Sequence, residues 1–202
     1  MVMSEHPGVR LRPGLDFDEV LVAARRGDPL AFRELYDALA GRVCGYLSVH
    51  GASDAEDLTS EVFLRAFRGL ERFEGNERQF RSWVFTIAHH LLLDDRRRRG
   101  ARITTSAFDS DAANRVAGGD VEDEAIEHLR SEWVTDALAH LSPDQQTVVT
   151  LRVVGDLSVE QVAVVIGKPA GAVKALQRRG IAALRRNMAG AVGEVGEGTV
   201  TR

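Results

Sequence analysis

Cysteine, lysine and aromatic residues are all scarce in this 202-residue sequence, and each scarcity narrows what the chain can be. Cys44 is the only cysteine, which excludes an internal disulfide and a thiolate-rich zinc site and fits a reducing cytosol. With Val43 and Leu47 beside it, it reads as an ordinary core position. Aromatics make up 6% of the residues and no segment alternates apolar with polar residues for long, so a sheet protein is not expected. No run approaches the roughly eighteen apolar residues of a membrane span, and Met1 to Arg12 lacks the apolar centre of a secretory signal. The expected location is therefore cytoplasmic, with no membrane contact. A glycine-rich nucleotide loop, a nucleophile–base pair and a metal triad are also missing. The expectation is a chain with no catalytic residue, no cofactor, no metal and no small-molecule substrate. His89 and His90 are too closely spaced to put both rings on one helix face, and no third ligand stands near them.

Hydrophobic residues make up 44% of the chain and recur at spacings of three and four, which predicts an all-α fold of two small helical domains. The net charge of −4 hides strong segregation. Arg96, Arg97, Arg98, Arg99 and Arg102 form one basic cluster, and Lys168, Lys174, Arg178, Arg179, Arg185 and Arg186 form a second. Between them, Asp109 to Asp144 holds ten carboxylates against Arg115 and Arg130 alone. Lys168 and Lys174 are the only lysines, a bias that fits a GC-rich genome better than a mechanism.

Helix signals punctuate the chain. Asp28-Pro29 is a cap followed by proline at the first helical position, and Phe32, Leu35, Tyr36, Leu39, Val43 and Leu47 follow at helical spacing. Ser53-Asp54-Ala55-Glu56 reads as a capping box opening a second helix through Leu58, Val62, Phe63, Ala66, Phe67 and Leu70, to about Gly69. Glu71 to Arg78 reads as a loop, after which Phe80, Trp83, Val84, Ile87 and Leu91 form a third stripe that runs into the arginines. Ile103 to Gly119 has no usable periodicity and is the expected linker. A domain at 17–102 is thus predicted, then a flexible acidic linker at 103–121, a second domain at 122–188 and a disordered tail at 189–202. In the second domain, Ala125 to Leu141 marks a fourth helix and Ser142-Pro143-Asp144-Gln145 starts a fifth, which Gly155 ends. Ser158 to Gln161 boxes a very short helix ended by Gly167, and a basic helix follows from about Ala170 to Met188.

Two helices joined by a short turn containing glycine, the second of them basic, is the helix-turn-helix pattern of major-groove readers. Val162, Ile166, Val173, Leu176 and Leu184 suit its small core, while Ala172, Ala175, Arg178 and Arg179 would point outward and Lys168 and Lys174 would lie along phosphates. A solvated helical hairpin is the bland alternative.

Leu141-Ser142-Pro143, Leu157-Ser158, Gly167 and Gly171-Ala172-Val173-Lys174 resemble the −35 reading domain of extracytoplasmic-function (ECF) sigma factors, a subgroup of the bacterial sigma-70 family. Ala55 to Ala66 is similar to that family's core-polymerase-binding helix, and Phe80-Arg81-Ser82-Trp83 through Asp94 to Arg97-Arg98 is similar to its −10 reading helix. The resemblance covers roughly residues 17 to 188. It implies an RNA polymerase sigma factor that binds core polymerase, recognises −10 and −35 promoter DNA, promotes melting, and is held by an anti-sigma factor. The implied polymerase-binding residues are Asp54, Glu56, Asp57, Leu58, Glu61 and Phe63. For the −10 element they are Asn76, Trp83, His90, Asp94, Arg97 and Arg98, and for the −35 element Lys168, Gly171, Ala172, Lys174, Ala175, Arg178 and Arg179.

Alternatives remain beside these roles. The acids early in the second helix also compensate its dipole, most of the third stripe suits a core, and Asp94 and Asp95 can pair with Arg98 and Arg99 four residues on. His90 stands where the family commonly has asparagine, and Pro169, Ala172, Ala175 and Leu176 stand where relatives often carry hydroxyl residues or arginine. Base reading would then lean on methyl contacts and DNA shape as well as Arg178 and Arg179. A helix-turn-helix regulator predicts duplex binding without polymerase; a polymerase-sequestering module predicts core binding without promoter opening.

Overall fold

The structure is a computed structural model that describes residue 11 and residues 16–105 and 136–195, the side chains of 102–105 and 188–195 excepted. Most of the predicted flexible linker and most of the predicted fourth helix lie outside the described residues, while residues 103–105, placed in the linker by the sequence, are helical. Along the described residues run α1 (Phe17–Arg25), α2 (Pro29–Val49), α3 (Ala55–Gly69), α4 (Glu77–Thr105), α5 (Pro143–Val153), α6 (Val159–Ile166) and α7 (Ala170–Val195). One 3-10 turn, Leu70–Arg72, follows α3, residues 136–139 are helical, and no strand occurs among the described residues.

Local chemistry sets most helix starts. Asp28 accepts hydrogen bonds from the N–H groups of Leu30 and Ala31, with Pro29 locking the first turn of α2. Asn76 and Gln79 bond reciprocally, side chain to backbone N–H, at the start of α4, and Ser142 with Gln145 and Ser158 with Gln161 do the same for α5 and α6. The predicted Ser53 box is not the cap of α3. Asp54 takes that place, accepting from the N–H of Asp57, because Ser53 is committed to Asp95, 2.7 Å from its hydroxyl. Helix α1, which has no predicted counterpart, is capped by Asp16 and buries Phe17, Val20, Leu21 and Ala24. At the other end, α7 continues to Val195, past the predicted stop at Met188. Ala189, Gly190 and Ala191 carry no apolar stripe, yet a helix once nucleated propagates through such residues.

The described residues form two compact units. The first joins residues 16–105 with 150–170, and the second joins 136–149 with 171–195. In the first, α2 packs on α1 and α3, and α4 packs on α2, α3 and α6. The predicted stripe of α4 is buried at Phe80, Val84 and Leu91, but Trp83 and Ile87 are only half-buried, whereas Phe85, Ala88 and Leu92 are fully enclosed. A helix with neighbours on more than one side needs more than one apolar face, so a single stripe underestimates its burial. Cys44 is half-buried rather than a core residue. In the second unit, Gly180 permits close packing: a Cβ there would lie 2.8 Å from Val149 Cγ2.

A polar network is enclosed where α2 ends beside α4. The Tyr46 hydroxyl lies 2.8 Å from His89 Nδ1, and His50 Nε2 lies 2.8 Å from Thr150 Oγ1. Arg96 donates to the His50 carbonyl at 2.6 Å and approaches His50 Nδ1 at 3.4 Å. Since a guanidinium only donates, Nδ1 is the acceptor and Nε2 carries the hydrogen toward Thr150. Burial first, then the Arg96 charge and His89, hold the His50 pKa down to about 3, and burial with His90 and Arg96 holds His89 down to about 4. Burial also pushes the Tyr46 hydroxyl up. For Asp95, burial opposes ionisation, but the two hydrogen bonds from Ser53 and the Arg99 charge outweigh it, and its pKa falls below the usual carboxylate range.

A histidine whose pKa drops on folding contributes its full stability above the unfolded value near 6.5 and loses it as the pH falls through the folded value. The urea midpoint should therefore decline from about pH 6.5 down toward pH 4, with Asp95 steepening the loss at the acid end. Replacing both His50 and His89 by glutamine should flatten this decline, and an unchanged profile would refute it. Tyr46→Phe leaves His89 Nδ1 without its hydroxyl partner and should lower unfolding stability by about 1–3 kcal/mol in urea melts at pH 7.

Candidate nucleic-acid interface

Helix α3 opens with acid. Asp54, Glu56 and Asp57 are exposed, Leu58 and Glu61 are half-buried, and Glu61 is drawn along the helix to Arg65, 2.7 Å away. Phe63 does not join them. It is 2% exposed, with its ring 4.8 Å from that of Tyr36 and 5.8 Å from that of Phe67, so the predicted apolar contact is instead a core anchor. The exposed apolar side chains here are Leu64, one position on, and Leu30 at the start of α2, with exposures of 44% and 67%. The i, i+3, i+4 rule hides both, because it collects the inward residues and leaves outward leucines unmarked.

The stretch before α4 is firmly framed. Arg25 donates to the Phe73 carbonyl and lies over the Phe73 ring, which stacks on Trp83 with centroids 5.0 Å apart and planes 19° from parallel. One face of the Trp83 indole is therefore already covered, and the half-buried ring is chiefly a packing element. Asn76 is exposed, its side chain capping α4. About two and three turns beyond Trp83, His90 and Asp94 are exposed on the same helix.

The arginine run divides by helical phase. Arg96 reaches inward to the His50 carbonyl, and Arg99 donates to the Gly51 carbonyl at 2.7 Å while pairing with Asp95 at 3.0 Å. Both thereby satisfy carbonyls at the C-terminal end of α2, where cations also suit the helix dipole. Arg97 and Arg98 face solvent. Asp94 pairs with Arg97 at 3.1 Å rather than with Arg98, which bonds the Asp94 carbonyl instead; the predicted Asp95–Arg99 pair is present.

In the helix-turn-helix segment, α6 ends at Gly167, whose left-handed backbone (φ 64°) lets its N–H bond the carbonyls of Ala163 and Val164. Only Gly167, Lys168 and Pro169 separate α6 from α7. Along α7, Val173 and Leu176 are buried and Leu184 is half-buried, while Gly171, Lys174, Arg178 and Arg179 are exposed and Ala172 and Ala175 are half-buried. The three-and-four spacing thus separates an inward apolar face from an outward basic one, the arrangement that can present guanidinium groups to guanine edges and phosphates. Among the described residues no group of three or more His, Cys, Asp or Glu is placed to hold a metal ion, and no helix is long and apolar enough to cross a membrane.

Comparison with known proteins agrees with this arrangement. Residues 31–102 match the sigma-70 region 2 family and residues 131–184 match sigma-70 region 4. The chain is 38% identical to the ECF RNA polymerase sigma factor BldN of Streptomyces coelicolor over 182 residues, 87% of this chain and 69% of that protein. It is 30% identical to the ECF RNA polymerase sigma factor SigL of Mycobacterium tuberculosis, covering 80% of this chain and 91% of the other. The fold is shared with the sigma factor RpoE of Bartonella quintana, solved with the anti-sigma factor NepR, at a TM-score of 0.58 and 22% identity over 77% of this chain and 94% of that one. Two region families matched in order, together with that identity to BldN, place the chain in the extracytoplasmic-function subgroup of the sigma-70 family: it is an RNA polymerase sigma factor.

Proposed function

We propose that the chain works as a non-catalytic initiation factor of the cytoplasm, docking on core RNA polymerase through α3 and engaging promoter DNA through α4 and α7. The separation of one acidic face from two outward basic ones carries this reading. Asp54, Glu56, Asp57, Glu61 and Leu58, joined by the exposed Leu64, offer negative charge with apolar contact to a basic protein surface. On α4, His90, Asp94, Arg97 and Arg98 face the −10 DNA, Asn76 stands at the helix's N-terminal end, and Trp83 supports the helix from behind. On α7, Lys174, Arg178 and Arg179 approach the −35 duplex, with Lys168, Gly171, Ala172 and Ala175 setting how closely the helix seats. Melting then needs no covalent step, since binding of unpaired bases offsets unstacking of a few kcal/mol per step.

The functional modules we assign are residues 17–102 and 122–188, with 103–121 joining them. An anti-sigma protein is the expected regulator, a reading supported by the Bartonella relative having been captured with one. It would act by covering the acidic face of α3.

Two measurements test the assignment. Asp57→Lys combined with Glu61→Lys should weaken co-elution with core RNA polymerase by at least about tenfold, the effect of removing two complementary charges and adding two like ones. Co-elution that survives the reversal refutes the docking face. Arg97→Ala with Arg98→Ala should reduce the salt slope of promoter binding by about 2 while changing stability by no more than about 0.5 kcal/mol. Arg96→Ala should show the opposite pattern, costing about 1–3 kcal/mol of stability with little change in slope.

A further inference from the structure

Residues 73 to 76 join the 3-10 turn to α4, and Asn76, assigned above to −10 DNA, is the last of them. Its carboxamide oxygen accepts from the Gln79 N–H at 3.1 Å, and its own backbone N–H donates to Gln79 Oε1 at 2.9 Å. With the oxygen engaged, the exposed side chain has its NH2 donors to offer, and an acceptor atom on an unpaired base suits them. Where those donors point is set by the course of the backbone through 73–76. A hydrogen bond weakens steeply once its angle is lost, so a small change in that course is enough to remove a base contact.

Aromatic packing supplies part of the frame for this connection. The Phe73 ring, stacked on Trp83, also meets the Phe80 ring edge-on with centroids 5.6 Å apart. Backbone closes tightly on the pair: a Cβ at Gly69 would lie 2.9 Å from Trp83 Cζ2, and one at Gly75 would lie 2.8 Å from Phe73 Cζ and 3.0 Å from Gln79 Cβ. The remaining support comes from α1, ahead of the residues that match region 2. Helix α1 rests against α2 and the 3-10 turn. From its last turn Arg25 donates through Nη2 to the Phe73 carbonyl, 48 positions away, with its guanidinium 6.0 Å from the centre of the Phe73 ring. A cation at a helix C-terminus also suits the dipole, but that role does not require the head group to be enclosed. Arg25 Nε is buried without a hydrogen-bond partner. An apolar side chain would fill the place without that cost, so the contacts with Phe73 are what arginine in particular supplies.

We infer that Arg25 is a positioning residue for −10 recognition: by holding the Phe73 carbonyl and ring it fixes the course of residues 73–76, and with it the direction in which Asn76 presents its donors to an unpaired base. Arg25 acts through Asn76 and touches no DNA itself. The inference rests on the −10 role proposed above for Asn76.

The test uses holoenzyme reconstituted from the full chain and core RNA polymerase, with sheared genomic DNA as the probe. Heparin-resistant complexes are sequenced, and the base preference at each −10 and −35 position is read from their enrichment. Asn76→Ala should reduce the preference at one −10 position at least about fivefold. Arg25→Met should reduce it at that same position at least about threefold, leaving the −35 preference and the salt slope of binding unchanged. Arg25→Lys, which keeps the charge without the planar fork, should show a smaller loss of the same kind, and it stands in if Arg25→Met fails to fold by circular dichroism. In a Trp133→Phe background Trp83 is the one remaining indole, and acrylamide should quench it more strongly in the Arg25 variants than in the unsubstituted chain or in Asn76→Ala. Folded Arg25 variants that keep full preference at the position relaxed by Asn76→Ala, or that leave Trp83 quenching unchanged, overturn the positioning role. A salt slope lowered by about 1 overturns it as well, by making Arg25 a phosphate contact. If Asn76→Ala forms complexes with every −10 preference intact, the assignment of Asn76 falls first and this inference with it.

Discussion

Helix α4 packs against α2, α3 and α6, and nearly every other feature of the first unit depends on that enclosure. Phe80, Val84, Phe85, Ala88, Leu91 and Leu92 are within 1% of full burial, which fixes the rotation of the helix about its axis. Rotation then determines which polar residues look inward. His89 turns to Tyr46 and Asp95 to Ser53, while His90 and Asp94, one position earlier or later, turn out. At about 100° per residue, one step along the helix separates a core hydrogen bond from a solvent-facing side chain.

The arginines show the same rule with one residue type. Arg96 and Arg99 fall three apart and end the neighbouring helix, taking up the carbonyls of His50 and Gly51. Arg97 and Arg98 lie between them in sequence and away from them in space. A basic run is thus not one surface. Part of its charge is consumed in folding, and only the remainder is available to phosphate, so the number of arginines in such a run overstates the charge a DNA partner would meet.

Much of this was legible from residue types alone. Capping residues and spacing predict α2, α3, α5 and α6 closely because their signals are local: an acid or hydroxyl side chain meeting a backbone N–H two or three positions on. Helix α1 carried the same kind of signal in Asp16, Phe17, Val20 and Leu21, but it is short, and proof of its role lies in packing on α2 rather than in its own residues. What sequence hid is what depends on distant partners. Ser53 looks like a cap until Asp95 arrives from 42 residues away. Phe63 looks like a contact residue until Tyr36 and Phe67 close over it, and the outward Leu64 gains meaning only once its neighbours are seen to be buried. Trp83 is the sharpest case, since stacking on Phe73 and exposure to a base make the same demand on the indole face.

The buried polar groups explain why so charged a chain still folds to a defined arrangement. Apolar contacts are tolerant of sliding, whereas Arg81 meets Glu77 and Asp156 only in one register, and His50 accepts from Arg96 and donates to Thr150 only in one tautomer. Each such group would be costly to bury without its partner, so alternative packings that strand one of them are disfavoured even where their apolar burial is equal. Specificity of packing here therefore resides in a few polar pairs, among them those joining α2 and α4 to residues 150–161.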